Sequence, residues 1–200
     1  MEELENLLSF ILFVIFIFVI VGITILFSIK LIEQGFAHFF ERPLIVYPYL
    51  HVNKISSSDE NFLRANFPFY NKLSLRKQRF FKHRVAYYLR YKEFIGKEEL
   101  VVTQEMKLRI SATAVMLTFG MRDYKLPNLQ RFLLYPDIYY SILNKTYHKG
   151  EYNTRYKALI FSWKHLMEGF DVHNDNLNLA IHEIMHVIHI SSYKNSSISY

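Results

Sequence analysis

The residues best suited to chemistry form one short run, His182-Glu183-Ile184-Met185-His186. Side chains four residues apart on an α-helix lie on one face, so the two imidazoles can bind the same metal ion. Zinc prefers four tetrahedral ligands, which leaves positions for a third protein ligand and a water molecule. Glu183 can reach this zinc-activated water and act as general base in peptide hydrolysis. The run therefore predicts His182 and His186 as zinc ligands and Glu183 as the catalytic residue.

The composition limits which other groups can bind a metal. The chain has no cysteine, which excludes disulfides, iron–sulfur centres and thiolate zinc sites. His189 lies seven residues after His182, on roughly the same helix face but about 10 Å further along the axis. We therefore expect His189 beside the metal site without binding the ion. Asp171, His173 and Asp175 precede the helix, and a polar turn explains them better than metal binding does.

The alternative interpretation of this run is two surface histidines on an ordinary amphipathic helix. Its neighbours argue against that, because the segment from Leu179 to Ile190 is apolar nearly all round the helix. Buried histidine and glutamate side chains need polar partners, and a metal ion supplies one. The setting of the motif therefore favours a metal site.

The segment Asn178-Leu-Ala-Ile-His182-Glu183-Ile-Met-His186 resembles the N-V-V-x-H-E-F-A-H segment of the Mlc titration factor A family of zinc-dependent peptidases. Other segments match that family in the same order. They are Val102-Thr103 through Ala112-Thr113-Ala114, Leu134-Tyr135-Pro136 and Ile160-Phe161-Ser162-Trp163. The resemblance covers residues 67–190.

This resemblance implies an α+β fold with a zincin-like metallopeptidase domain, similar to the catalytic core of anthrax lethal factor. It implies zinc as cofactor, peptides as substrates and aminopeptidase-like activity. By position, His182 and His186 would bind zinc and Glu183 would be the base. Asn178 matches a family position and is expected beside the metal ligands. The family's namesake binds a transcriptional repressor, so a transcriptional regulator is a further expected partner.

The chain departs from this family after the second histidine. The family has x-L-D there, whereas this chain has Val187-Ile188-His189. The family also takes a third ligand, a glutamate, and an assisting tyrosine from a helix several tens of residues downstream. No Asp or Glu follows His186 in the 200 residues, so we expect a peptidase domain truncated at its C-terminus. The alternatives are a catalytically incomplete membrane-tethered module that sequesters a transcriptional regulator, and a subunit whose metal site another chain completes.

Residues 7–29 form an uncharged apolar run after a short tail at 1–6. A helix of this length measures about 35 Å, enough to cross a hydrocarbon core of about 30 Å. The acidic leader argues against a cleaved signal peptide, and the length argues against a buried core helix. Lys and Arg residues occur only after the run. The charge pattern therefore predicts a single-pass plasma-membrane protein whose C-terminal domain is cytoplasmic.

The remaining chain divides into a juxtamembrane segment and linker at 30–60 and the peptidase domain at 61–200. Periodicity and caps predict helices over 75–93, 104–119 and 177–190, and strands over 101–103, 132–136 and 158–161. After residue 29 the chain has 24 basic and 15 acidic residues. This excess suits anionic lipid or an acidic partner, and we expect no direct nucleic-acid binding. A cationic stripe on the first helix fits a solvated face or attraction to anionic lipid: Arg76, Lys77, Arg79, Lys82, Arg84 and Arg90.

Overall fold

The computed structural model describes residues 1–40, 44, 46–47, 49, 51–141, 144–171 and 179–196. The chain divides into two compact units, Met1–Pro48 and Tyr49–Tyr200. Part of the segment predicted as linker, residues 57–60, folds into a helix that begins at Ser57. The predicted domain boundaries stay predictions.

The first unit contains one long helix, α1 (Glu2–Phe40), which has no buried residue. It includes the predicted span 7–29 and continues through residues 30–40 of the predicted juxtamembrane segment. The Thr24 hydroxyl donates to the Ile20 carbonyl at 2.8 Å, so this polar group is satisfied within the helix. Within the described residues, α1 is the one helix that is long and apolar enough to cross a membrane, by length and composition.

The second unit mixes helices with two small sheets. Its elements in chain order are α2 (Ser57–Asn66), α3 (Pro68–Asn71), α4 (Leu75–Tyr91), β1 (Glu93–Gly96), α5 (Gln104–Leu117), β2 (Arg131–Tyr135), β3 (Tyr139–Ser141), β4 (Thr146–His148), β5 (Gly150–Asn153), β6 (Ala158–Ser162), α6 (Trp163–Asp171) and α7 (Leu179–Ser196).

The main sheet has the strand order β1-β2-β6-β5, and β3 and β4 form a separate antiparallel pair. Strands β1, β2 and β6 are parallel, whereas β5 runs antiparallel to β6 at the sheet edge. Side chains of β2 alternate in burial, and Phe132 and Leu134 point into the core. Helix α7 packs against β5, β6, α5 and α6, so one end of the sheet supports the helix that carries the motif.

Two helix starts agree with the sequence prediction. The Ser74 hydroxyl accepts from the Lys77 amide at 3.5 Å and begins α4, and the Thr103 hydroxyl accepts from the Met106 amide at 3.3 Å and begins α5. These caps satisfy amides that have no partner within the first helical turn.

The predicted strand over 101–103 is wrong, because the strand in this part of the chain is β1. The chain turns back immediately after β1, and a Cβ on Gly96 would lie 1.7 Å from the Leu100 carbonyl oxygen. Glu98 and Glu99 have positive φ in this turn, at 50° and 63°. The turn places residues 101–103 outside the sheet, although their side chains favour a strand.

Candidate metal centre

His182 and His186 form a close pair on the exposed side of α7. Their Nε2 atoms are 3.0 Å apart, and their rings are nearly perpendicular at 89°. Two imidazoles bound to one tetrahedral zinc, each at about 2.0–2.1 Å, have nitrogens about 3.3 Å apart. The pair therefore fits a single zinc ion after a small adjustment. The expectation that the helix is buried all round is wrong at these positions, because both histidines are exposed.

Glu183, unlike the two histidines, is buried and only 8% exposed. Its side chain packs against the backbone of β5, where a Cβ on Gly150 would lie 2.9 Å from Glu183 Cγ and 3.2 Å from Cδ. A residue without a side chain is thus needed opposite this carboxylate. Burial raises the pKa of Glu183, and the adjacent His182 and His186 partly offset that effect. A raised pKa makes the carboxylate a stronger base.

The β3–β4 hairpin contributes two further polar side chains near Glu183. Tyr139 and His148 are direct cross-strand partners. Tyr139 Oη and His148 Nε2 are buried, and Tyr139 lies next to the Glu151 carboxylate. Burial raises the pKa of Tyr139, and the charges of Glu151 and Glu183 raise it further, while His148 lowers the pKa of Glu183. The hairpin therefore places two buried polar side chains close to the candidate base.

Sequence reasoning missed Tyr139, His148, Gly150 and Glu151, because no helical or motif spacing relates them to Glu183. Strand pairing and the contact of β5 with α7 bring them together. The one local signal is the polar run Tyr147-His-Lys-Gly-Glu151, which follows no hydrophobic alternation.

The described residues contain no group of three or more His, Asp or Glu side chains able to hold a metal ion. His189 is exposed further along α7 and belongs to no such group, so its predicted place beside the site stays a prediction. Asn178, His173, Asp175 and the side chain of Asp171 lie outside the described residues. His182 and His186 therefore stay predicted metal ligands, and the described residues bring no third ligand to them.

A groove of about 580 Å³ lies elsewhere in the second unit, between segment 51–56 and α4. Ala86, Leu89 and Arg90 line it on the helix side. None of the predicted metal ligands lines this groove, so it is separate from the candidate metal centre.

Paired imidazoles next to a buried carboxylate, on a helix packed against a sheet edge, are compatible with metal-dependent hydrolysis. Residues 46–194 match the family described as glucose-regulated metallo-peptidase M90. The chain belongs to this family. Membership confirms the metallopeptidase class that the sequence resemblance predicted and implies a bound metal.

One curated relative is Uncharacterized protein slr2042 of Synechocystis sp. It is 28% identical to this chain over 130 residues, which cover 60% of this chain and 47% of the relative. The chain therefore spans about half the length of the curated relative it matches.

Proposed function

We propose that this chain is a membrane-anchored, zinc-dependent metallopeptidase of zincin type with aminopeptidase-like specificity. His182 and His186 bind zinc, and Glu183 is the general base. The observation that carries this proposal is the pair of Nε2 atoms 3.0 Å apart beside a buried glutamate, in a metallopeptidase family member. The spacing suits one ion, and the glutamate is the next residue after the first histidine.

Zinc held by His182 and His186 would supply a water of lowered pKa and a Lewis acid for the scissile carbonyl. Glu183 accepts the proton of the attacking water and delivers it to the leaving amine, so that its charge is restored after each cycle. The packing of Glu183 against Gly150 limits the rotamers of the carboxylate and holds it beside the histidines.

An extended peptide substrate is proposed to bind along β5. This strand is at the edge of the sheet and contacts the helix that carries Glu183. Exposed strand edges bind extended peptides through main-chain hydrogen bonds.

Glu151 supports the aminopeptidase-like part of the proposal. It follows Gly150 on β5, and its charge raises the pKa of Glu183, so the two carboxylates are close. Asn144 Nδ2 donates to Glu151 Oε1 at 3.0 Å and fixes the side chain. A carboxylate beside the catalytic base would bind the free ammonium group of a peptide N-terminus.

Membrane anchoring rests on α1, whose length and apolar composition suit a single span. Lys30 and all other Lys and Arg residues lie at or after its C-terminal part, which supports a cytoplasmic second unit. The plasma membrane is the proposed location.

The second candidate is a catalytically incomplete, membrane-tethered module that sequesters a transcriptional regulator. The observation that favours it is the lack, among the described residues, of a third metal-ligating side chain beside His182 and His186. In that case the motif helix is retained for packing, through buried residues such as Ile184 and Val187.

The deciding experiment measures zinc content and peptide hydrolysis on the detergent-solubilised full chain and on two variants. The peptidase proposal expects about one zinc per chain, loss of zinc in His186→Ala, and retained zinc without hydrolysis in Glu183→Gln. Hydrolysis that persists in Glu183→Gln overturns the catalytic role. A folded wild-type chain with neither zinc nor hydrolysis favours the sequestering module.

A further inference from the structure

Positive charge surrounds an exposed leucine where α3 meets α4. We call this surface the basic corner and define it by Lys72, Leu75, Arg76, Lys77 and Arg79. Leu75 is 79% exposed, and all four cationic residues are exposed. None of the four forms an ion pair with a carboxylate of the described residues. Their charges are therefore available to an external anionic surface.

The corner is held in place from the inside. Gln78 is buried, and its Nε2 donates to the Leu73 carbonyl at 3.1 Å and to the Tyr70 carbonyl at 3.3 Å. Phe81, one turn from Lys77, is fully buried. The buried side of α4 thus fixes the backbone of the first helical turn. This fixed backbone holds the Leu75 side chain at the surface.

Leu75, Arg76 and Arg79 project from the same side of the helix start, because residues three and four apart are neighbours on a helix surface. An apolar side chain among cations suits an anionic bilayer. Its charges attract phosphate headgroups, and the leucine enters the interface. Val101 offers a contrast: it is 80% exposed, but its neighbours in sequence include Glu98, Glu99 and Glu105.

The chain itself supplies a reason to expect a lipid surface near the second unit. Helix α1 ends at Phe40 and the second unit begins at Tyr49. The residues between them can span at most about 30 Å when fully extended. A tether this short keeps the second unit at high local concentration near the membrane, so weak attraction is sufficient for docking.

We propose that the basic corner docks the second unit onto the anionic lipid surface of the membrane that α1 anchors. This inference rests on the membrane anchor in the proposed function, but it does not depend on zinc or catalysis. Docking would turn a fixed side of the second unit towards the bilayer. It would also make the orientation of that unit depend on anionic lipid and on ionic strength.

The test uses single-cysteine variants of the full chain, since the native sequence has no cysteine. Leu75→Cys and Val101→Cys each carry the polarity-sensitive fluorophore NBD, in nanodiscs of phosphatidylcholine with or without phosphatidylglycerol. We expect the NBD emission at position 75 to shift to the blue only in discs with phosphatidylglycerol, and to return in high salt. The emission at position 101, matched in exposure, should stay that of a water-exposed label.

Two variants in the Leu75→Cys background, each lacking four positive charges, distinguish an effect of the basic corner from an effect of net charge. The test variant replaces the four cations of the corner with glutamine and should abolish the blue shift. The control variant replaces four exposed cations elsewhere with glutamine and should retain it: Lys97, Lys125, Arg155 and Lys157.

An unshifted label at position 75 in anionic discs overturns the proposal, and an acidic protein surface would then be the partner that suits the corner. So does an equal shift in pure phosphatidylcholine, an equal shift at position 101, or a shift lost in the control variant. Failure of the anchor is recognised separately, because alkaline carbonate would then release the chain from membranes. That result would overturn both inferences, whereas a retained chain with an unshifted label overturns docking alone.

Discussion

Gly150 of β5 lies so close to Glu183 of α7 that a Cβ at Gly150 would be 2.9 Å from Glu183 Cγ. This contact joins the sheet edge to the motif helix at the candidate catalytic carboxylate. Because cores are packed at near-crystalline density, even one added methyl group must displace a neighbour. The position of Glu183 therefore depends on the absence of a side chain at residue 150.

Gly150→Ala should impair hydrolysis without removing zinc. The new methyl group would also meet Leu179 Cδ1 at 2.8 Å, so both α7 contacts must shift. We expect a loss of about 1–3 kcal/mol in stability from overpacking and a decrease in kcat/KM of about tenfold to a hundredfold from a displaced base. Gly120→Ala is the control, because no heavy atom lies within 4 Å of a Cβ there. Equal kcat/KM values for the two variants would contradict the proposed role of the contact.

Glu151→Gln should weaken binding of peptides with a free N-terminus. Removing a charge-assisted bond to the substrate ammonium is expected to raise KM by about tenfold to a hundredfold. N-acetylated peptides lack that ammonium, so their KM should not change. Glu168→Gln, at an exposed position of α6, controls for the loss of one negative charge. A KM that rises equally for free and acetylated peptides would show that Glu151 does not recognise the N-terminus.

Several elements were predictable because their signals are local. Ser74 and Thr103 cap helices whose apolar periodicity is clear from the sequence. The spacing of His182 and His186 likewise predicts two imidazoles on one helix face, and their Nε2 atoms are 3.0 Å apart. Such features need only the geometry of a single helix.

The rest depended on pairing between distant segments. Tyr139 and His148 approach Glu183 through the register of the β3–β4 hairpin, which no spacing in the sequence encodes. Arg84 belonged to the predicted cationic stripe, yet it is fully buried. Its guanidinium donates hydrogen bonds to backbone carbonyls that only the tertiary fold brings close. The periodicity of α4 therefore could not predict its burial.

Arg84→Met should destabilise the second unit strongly. The guanidinium donates to the Thr118 carbonyl at 2.7 Å and to the Met121 carbonyl at 2.8 Å, just after the C-terminus of α5. It also lies 4.4 Å from the centre of the Tyr124 ring. Methionine cannot replace these charge-assisted hydrogen bonds, and we expect a cost of about 3 kcal/mol.

Urea unfolding of the full chain in detergent, followed by fluorescence of the single tryptophan, measures this effect. Arg90→Met, on the exposed part of the same helix, is the matched control and should cost less than about 0.5 kcal/mol. Similar unfolding free energies for the Arg84→Met and Arg90→Met chains would show that the buried guanidinium contributes little.

Glu60 should make stability depend on pH in the acid range. It links three helices: Lys82 Nζ lies 2.5 Å from Oε2, while Arg64 Nη2 at 2.7 Å and Tyr70 Oη at 3.0 Å donate to Oε1. The Lys82 bond is the main cause that lowers the pKa of Glu60 to about 2. A lowered pKa means that the unfolded chain binds the proton more tightly.

The stabilisation by Glu60 is therefore complete above the unfolded pKa of 4.5 and is lost as pH falls towards about 2. We expect Glu60→Gln to lower the free energy of unfolding by about 2 kcal/mol at pH values above 5, and by much less near pH 2. Glu105→Gln breaks the pair of an exposed carboxylate with the less exposed Arg109, and should have a smaller effect that does not vary with pH in this way. Urea unfolding across this pH range tests the sign, because a wild-type-to-Gln difference that stays constant would show that Glu60 titrates alike in the folded and unfolded chain.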